Sequence, residues 1–320
     1  MSGKIVALCG GIGGAKLALG LAEVVPPEDL TVVVNTGDDF EHLGLHISPD
    51  VDAVLYTLAG LANPTLGWGL AGETWTFMDA LTRLGGEDWF RLGDGDLATH
   101  VQRTWRLRAG DSLTAITADL ARALGIGPAI APMSDDPVRT VLDTAKGRLE
   151  FQDYFVRRRA APVVRAITYE GAEQAAVSPA VLAALADPAL EQIVVCPSNP
   201  WLSVAPLLAI PGLRQALTES GRPIVAVSPL VGGQAVKGPT AKLMTELGLA
   251  VTARAIAGFY GPLVHGHVLD TSHAHEAPAI VSDGYGVEVM PTLMTDLASK
   301  AALARGVLAF GRQLAQSQLA

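Results

Sequence analysis

Asp38 and Asp39 follow directly on the apolar run Leu30 to Asn35, and Asp50 and Asp52 come one short loop later, with His42 and His46 between. Carboxylates gathered past a strand end are hard oxygen ligands. Mg²⁺ takes one or two such groups and completes its shell with water and substrate phosphates. Asp38, Asp39 and Asp50 are therefore candidate metal ligands. Asp50 is also the first candidate to take a proton from an attacking hydroxyl. Plainer readings stand beside these. Asp38 could accept the ribose hydroxyls of a dinucleotide. Asp50 could simply open a helix, since Val51, Val54, Leu55 and Leu58 behind it fit one helical face.

Three further loops carry residues suited to anions. Gly10, Gly11, Gly13 and Gly14 precede Lys16. Glycines let backbone N–H groups approach a phosphate at a helix start, and the lysine adds charge. The spacing is not that of a dinucleotide loop, because counting G-x-G-x-x-G from Gly11 puts Lys16 where the third glycine belongs. No G-K-[ST] follows either, so it is not a Walker A loop. A second glycine-rich stretch, Ser228 to Pro239, holds Gly232, Gly233 and Lys237. Pro197-Ser198-Asn199-Pro200 presents a hydroxyl and an amide between prolines, or is only a turn. Two glycine loops suit a ligand with several phosphates better than a single anion. His265, His267, His273 and His275 lack a metal-ligand spacing. Arg157, Arg158 and Arg159 are either a solvated face or a phosphate clamp.

All these loops need a frame that gathers them. Lys4 to Cys9 and Leu30 to Asn35 are apolar without alternation, as in strands buried on both faces of a parallel sheet. A helix is expected from about Ala15 to Val25 and another from Asp50. Strands are expected at Gln192 to Cys196, Pro223 to Val227, Leu249 to Ala253 and Val287 to Met290. Helices are expected over most of Leu202 to Leu217, over Thr240 to Leu247 and over Leu293 to Gln318. The alternation predicts an α/β fold: a Rossmann-like, doubly wound, mostly parallel sheet. Residues 64–177 hold four of the five tryptophans and few strand signals apart from Glu150 to Val156. They read as a helical or mixed insertion capping one sheet edge within a single domain spanning 1–320.

Composition sets limits on partners. The 320 residues carry a net charge of −9, which disfavours nucleic acid. Apolar residues make up 49%, enough for a large core. Cys9 and Cys196 form no CxxC pair and are expected as reduced core residues at strand ends. The N-terminal apolar run is broken by glycines and Lys16, unlike a secretory signal. The uncharged stretches 53–72 and 193–213 contain prolines, unlike a membrane span. A cytoplasmic protein without membrane partners is the expectation.

The stretches GGIGGAKL, VVVNTGDDFEHLGLHISPDVDAVLY, WFRLGDGDLATH, PMSDDPVRT, FQDYFVRRR, PSNPWLS, IPGLRQAL and VSPLVGGQAVKGP, with Gly67-Trp68, resemble the 2-phospho-L-lactate transferase family of deazaflavin coenzyme F-420 biosynthesis along nearly the whole chain. The resemblance implies a Rossmann-like core, Mg²⁺ as cofactor and a homodimer. It implies a donor that is a guanosine diphosphate ester of a small acid, and an acceptor that is the ribityl hydroxyl of a 5-deazariboflavin. GMP would leave. It places the deazaflavin against Asp50 and Arg91. It places the nucleotide near the first glycine loop, Ser198-Asn199, and Gly232, Gly233 and Lys237. On that reading Lys16 holds the leaving side, while Asp38 and Asp50 serve the reacting phosphoryl group. The acid itself (phospholactate, phosphoenolpyruvate or phosphoglycerate) stays open. An NAD-dependent oxidoreductase and a non-catalytic nucleotide- or flavin-binding module are the rival readings.

Overall fold

The computed structural model describes residues 3–65, 67–232, 234–235 and 238–318. β1 (Lys4–Cys9) runs straight into α1 (Gly11–Ala22), and β2 (Leu30–Val34) follows. A hairpin of β3 (Phe40–His42) and β4 (Leu45–Ile47) leads into α2 (Pro49–Leu58). Then come α3 (Thr76–Arg83), α4 (Asp94–Arg108), α5 (Leu113–Ala123) and β5 (Ala129–Pro132). β6 (Arg139–Thr144), β7 (Gly147–Glu150) and β8 (Val164–Glu170) form a separate antiparallel sheet. The last part runs α6 (Pro179–Leu185), β9 (Leu190–Val195), α7 (Ala205–Ala209), α8 (Leu213–Glu219) and β10 (Ile224–Val227). It continues through the small ribbon β11 (Leu230–Val231) and β12 (Gln234–Ala235), then α9 (Thr240–Glu246), α10 (Ala253–Tyr260) and β13 (Gly266–Leu269). α11 (Ala277–Ser282), β14 (Gly286–Val289) and α12 (Leu297–Gln318) close the chain.

The main sheet has seven strands in the order β14-β13-β10-β9-β1-β2-β5, all parallel. Its strands alternate between two cores. Ile5, Ala7 and Cys9 face the side covered by α1, α2 and α12, while Val6 and Leu8 face α6, α7, α8 and α10. Both faces are dry, which is why the strands carry no polar alternation. Each fully buried leucine or valine here contributes roughly 1.5–3 kcal/mol by leaving water. α1 lies hard against α12: a Cβ at Gly20 would stand 2.3 Å from the Lys300 carbonyl oxygen. The order turns back between β1 and β9, and in such sheets ligands bind past the carboxyl ends of the strands at that point. Cys9, the last residue of β1, and Cys196, just past β9, are free and buried. Among the described residues, no helix is long and apolar enough to cross a membrane.

Several local expectations change. α1 starts at Gly11, not Ala15, because Gly10 is extended and lets the helix begin straight from the strand. Residues 64–177 supply β5 to the main sheet as well as helices and the three-stranded sheet. Glu150 to Val156 is not a strand: β7 ends at Glu150, and residues 153–157 coil into a π-turn. Leu249 to Ala253 is not a strand either, since Thr252 Oγ1 accepts the Ala255 N–H and caps α10.

β13 was not expected, because four residues with a central histidine give little strand signal. His267 is buried edge-on to Tyr285 at 5.2 Å, and its Nε2 has no partner. Burial lowers its pKa from 6.5 to about 4. The unfolded chain therefore takes up a proton near pH 6.5 that the folded state refuses until about pH 4. Stability from this residue is complete above pH 6.5 and falls as pH drops through that window, by up to about 3 kcal/mol. Urea unfolding at steps between those pH values should show the loss, and His267→Leu should remove that part of it. Equal losses in both proteins would assign the acid sensitivity to another group.

Candidate active site

A cavity of about 760 Å³ opens at the switch point. Its walls come from the loops after β1 (Gly10 to Gly13, with Lys16), β2 (Asp38), β9 (Pro197 to Asn199), β10 (Ser228, Pro229) and β14 (Thr292 to Met294). Asp50 at the start of α2 completes the polar lining. Trp68, Trp89, Phe90, Phe151 and Phe155 line the same cavity, as does Arg91.

The first glycine loop works differently from a bare phosphate cradle. A Cβ at Gly10 would meet Ser203 Cβ at 2.5 Å and Asp50 Oδ2 at 2.8 Å. One at Gly13 would meet the Pro197 carbonyl oxygen at 2.4 Å, and one at Gly14 would meet Cys9 Sγ and Ser198 Oγ at 2.8 Å. These three glycines let the loops after β1 and β9 touch. Gly11 alone needs glycine for its backbone, with φ at +65°. Its N–H is donated to Asp50 Oδ1 at 2.7 Å, so a protein carboxylate already sits at the start of α1. Ser198 Oγ accepts the Gly10 N–H at 3.2 Å and donates to the Gly10 carbonyl at 2.8 Å, tying the two loops together.

Asp50 is not the cap of α2. Ser48 holds the N-cap position, and the Asp50 side chain reaches across to α1 and to Asn35. The Asn35 Nδ2 amide donates to Asp50 Oδ2 at 3.0 Å and to Asp38 Oδ1 at 3.3 Å. Gln152 Nε2 donates to the other Asp38 oxygen at 3.2 Å. Burial pushes the Asp50 carboxyl up to about 6, although the Asn35 amide and the Gly11 N–H favour its anion. Burial, then the charges of Asp50 and Asp39, push Asp38 well above the usual carboxylate range. Two carboxylates held together on one amide call for a cation or a shared proton. Asp39 points away: it accepts from Ser48 Oγ at 2.8 Å and lies 3.1 Å from His46 Nε2.

The other expected residues fall as follows. Lys16 Nζ donates to the Met294 carbonyl at 3.2 Å in the cavity wall. The Arg91 guanidinium lies over the Trp75 ring at 4.4 Å. Asn199 Oδ1 accepts the Trp201 and Leu202 N–H groups, and its Nδ2 reaches Thr240 Oγ1 at 3.0 Å. The Gly232 N–H donates to Ser272 Oγ at 2.8 Å. Gly233 and Lys237 lie outside the described residues. His265 Nδ1 accepts the Ile224 N–H, while His273 pairs with Glu276 and stacks on His275 at 6.2 Å, so the four histidines do not meet at one point. Arg157 lies over Trp89 at 5.6 Å, and Arg158 pairs with Asp153.

Asn35 and Gln152 were missed. Asn35 opens the strand-end loop that carries Asp38 and Asp39 but shows no role of its own in the sequence, and Gln152 sits in the stretch read as strand. The one group among the described residues whose ligand atoms all lie within 4.8 Å of one another is Asp52, Asp96 and His100, a set compatible in type with a divalent cation. It lies outside the cavity lining.

A seven-stranded parallel sheet whose switch point opens on a cavity lined by polar and aromatic residues defines a Rossmann-like α/β protein with a small-molecule site. The chain belongs to the 2-phospho-L-lactate transferase CofD family, whose profile matches residues 5–294. It is 42% identical over 318 residues to the phosphoenolpyruvate transferase of Kitasatospora aureofaciens, covering 97% of this chain and 98% of that one. It is 38% identical over 304 residues to the 2-phospho-L-lactate transferase of Methanosarcina mazei, covering 95% and 99%. The crystal structure of a UPF0052 family protein from Bacillus halodurans shares the fold, with a TM-score of 0.60 at 14% identity over 96% of this chain and 99% of that one.

Proposed function

We propose that the cavity joins a guanosine-diphosphate-linked phospho-acid to the ribityl hydroxyl of 7,8-didemethyl-8-hydroxy-5-deazariboflavin, in coenzyme F-420 biosynthesis. The hydroxyl oxygen attacks the phosphorus that bears the acid. The bond from that phosphorus to the GMP oxygen breaks, GMP leaves, and a phosphodiester forms. The observation that carries this reading is one cavity lined both by Asp38, Asp50 and Lys16 and by five aromatic rings.

Asp50 takes the hydroxyl proton. Asn35 and the Gly11 N–H hold its carboxylate in place on the cavity wall. Lys16 faces the negative charge that grows on the departing phosphate. The aromatic rings and Arg91 hold the flat ring, so its chain reaches the carboxylates. Asp38 and Asp50 are hard oxygen donors on the cavity wall and fit Mg²⁺. Bound there with the donor's phosphates, it supplies charge neutralisation. A homodimer in the cytoplasm is part of the same reading. The relatives at 40–42% identity are phosphoenolpyruvate transferases, which favours phosphoenolpyruvate as the transferred acid.

The test is incubation with the deazaflavin, Mg²⁺ and each of the three guanylated acids, with GMP and product mass measured together. GMP and phosphodiester should appear in equal amounts, fastest with the phosphoenolpyruvyl donor. Tight nicotinamide dinucleotide binding without GMP release would replace this reading with the oxidoreductase one.

A further inference from the structure

Behind the cavity, α2 and α4 are joined by a buried polar network. Arg103 of α4 is 0% exposed and forks onto both carboxylate oxygens of Asp52 on α2. His100 Nδ1 lies 3.6 Å from Asp52, and its Nε2 lies 3.1 Å from Asp96. Tyr56 of α2 donates its hydroxyl to Asp96 at 2.5 Å. One turn on, Thr104 Oγ1 accepts the His46 N–H at 2.8 Å, and His46 in turn meets Asp39. Asp52, Asp96 and His100 are cation-ligand types, but the guanidinium already fills the bidentate place on Asp52. Asp52 is thus already paired with a protein cation.

A fully buried ion pair adds little net stability, because desolvating both charges offsets most of their attraction. What a forked, two-bond contact does fix is geometry. Asp52 stands two residues after Asp50, within the first turn of α2. Asp96 stands in the first turn of α4, which begins three residues after Arg91. The fork thus ties the first turn of α2, two residues from Asp50, to the third turn of α4, and His100 carries the link back to Asp96 in the first turn of α4, five residues beyond Arg91. The loops after β1, β9 and β10, which make the phosphate side, are carried by the main sheet.

We propose that Arg103 and Asp52, supported by His100, Asp96 and Tyr56, are positioning residues. They set the separation of Asp50 and Arg91 and so govern how the acceptor is held, leaving the donor side alone. The inference rests on the assignment of Asp50 and Arg91 to the acceptor made above.

The test is the double variant Asp52→Leu/Arg103→Met, which removes both charges and leaves neither unpaired, alongside Arg103→Lys, which keeps the charge and loses the fork. The double variant should melt near wild type. Its KM for the deazaflavin should rise by about tenfold or more, while its donor KM stays within about twofold. Hydrogen exchange of the peptide containing Gly11, whose amide is held by Asp50, should quicken by about tenfold. Arg103→Lys should move both readouts the same way by less, and it decides the matter if the double variant does not fold. An acceptor KM and a Gly11 exchange rate both within about twofold of wild type in a folded variant would overturn the proposal. So would a stoichiometric divalent ion retained by dialysed wild type and lost in Asp96→Asn. If wild type neither binds deazaflavin nor releases GMP, the proposed reaction fails, and the exchange readout still decides the positioning claim.

Discussion

Asp50→Asn should slow single-turnover GMP release by about 100-fold or more while the protein stays folded. The substitution keeps the shape and one acceptor oxygen. It removes the negative charge and the site that takes the proton. Because Ser48 occupies the cap position of α2, the change does not touch helix capping. It does disturb one contact. The Gly11 N–H and the Asn35 amide both donate to Asp50, and an asparagine there can accept well from only one of them. That costs about 1–3 kcal/mol, partly offset by ending the repulsion with Asp38. Melting temperature should therefore fall by several degrees at most, roughly 2–4 °C per kcal/mol. A rate within about threefold of wild type, under ~0.7 kcal/mol of barrier, would take Asp50 out of the chemistry.

Chelation should have an effect of similar size. In excess EDTA, turnover should drop below roughly a hundredth of its value and return with Mg²⁺. Two buried carboxylates already share one amide at the cavity wall, and a diphosphate donor brings further negative charge to the same place. Bringing these anions together without a cation is costly in a partly dry site. A second readout does not depend on activity. Mg²⁺ should raise the melting temperature of wild type in the presence of GDP but not that of Asp38→Asn/Asp50→Asn. Full turnover in chelator, or equal stabilisation of the double variant, would place the metal elsewhere or remove it.

The frame of this fold was legible because burial on both faces leaves a plain mark. β1, β2, β9 and β10 stand where apolar runs without alternation lie. The loops after them supply much of the cavity lining. What the sequence hid is physical in each case. β13 is four residues long with a histidine at its centre, so no run accumulates. The π-turn at 153–157 uses aromatic and β-branched residues that also suit a strand, and only the tertiary contact of Gln152 with Asp38 shows its purpose. The glycines after β1 were correctly seen as a special loop. Their main service, however, is to bring Pro197, Ser198 and Ser203 into contact with it, a constraint from 180 residues away that no local pattern contains. Asn35, one residue past β2, shows its role only through its tertiary contacts with Asp38 and Asp50.

The close seat of α1 against α12 bears on how the chain reaches this fold during synthesis. β1 and α1 leave the ribosome first, yet Ile5 pairs with Gln192 and Gly20 packs on Lys300. The central strand therefore waits for its second neighbour more than half a chain away, and its helix waits for α12. Contacts so distant in sequence close slowly, because loop entropy must be overcome before they can stabilise anything. β2 and α2 can cover part of β1 and α1 early, but the edge that awaits β9 and the face that awaits α12 stay open through most of translation, so nascent chains should engage chaperones early.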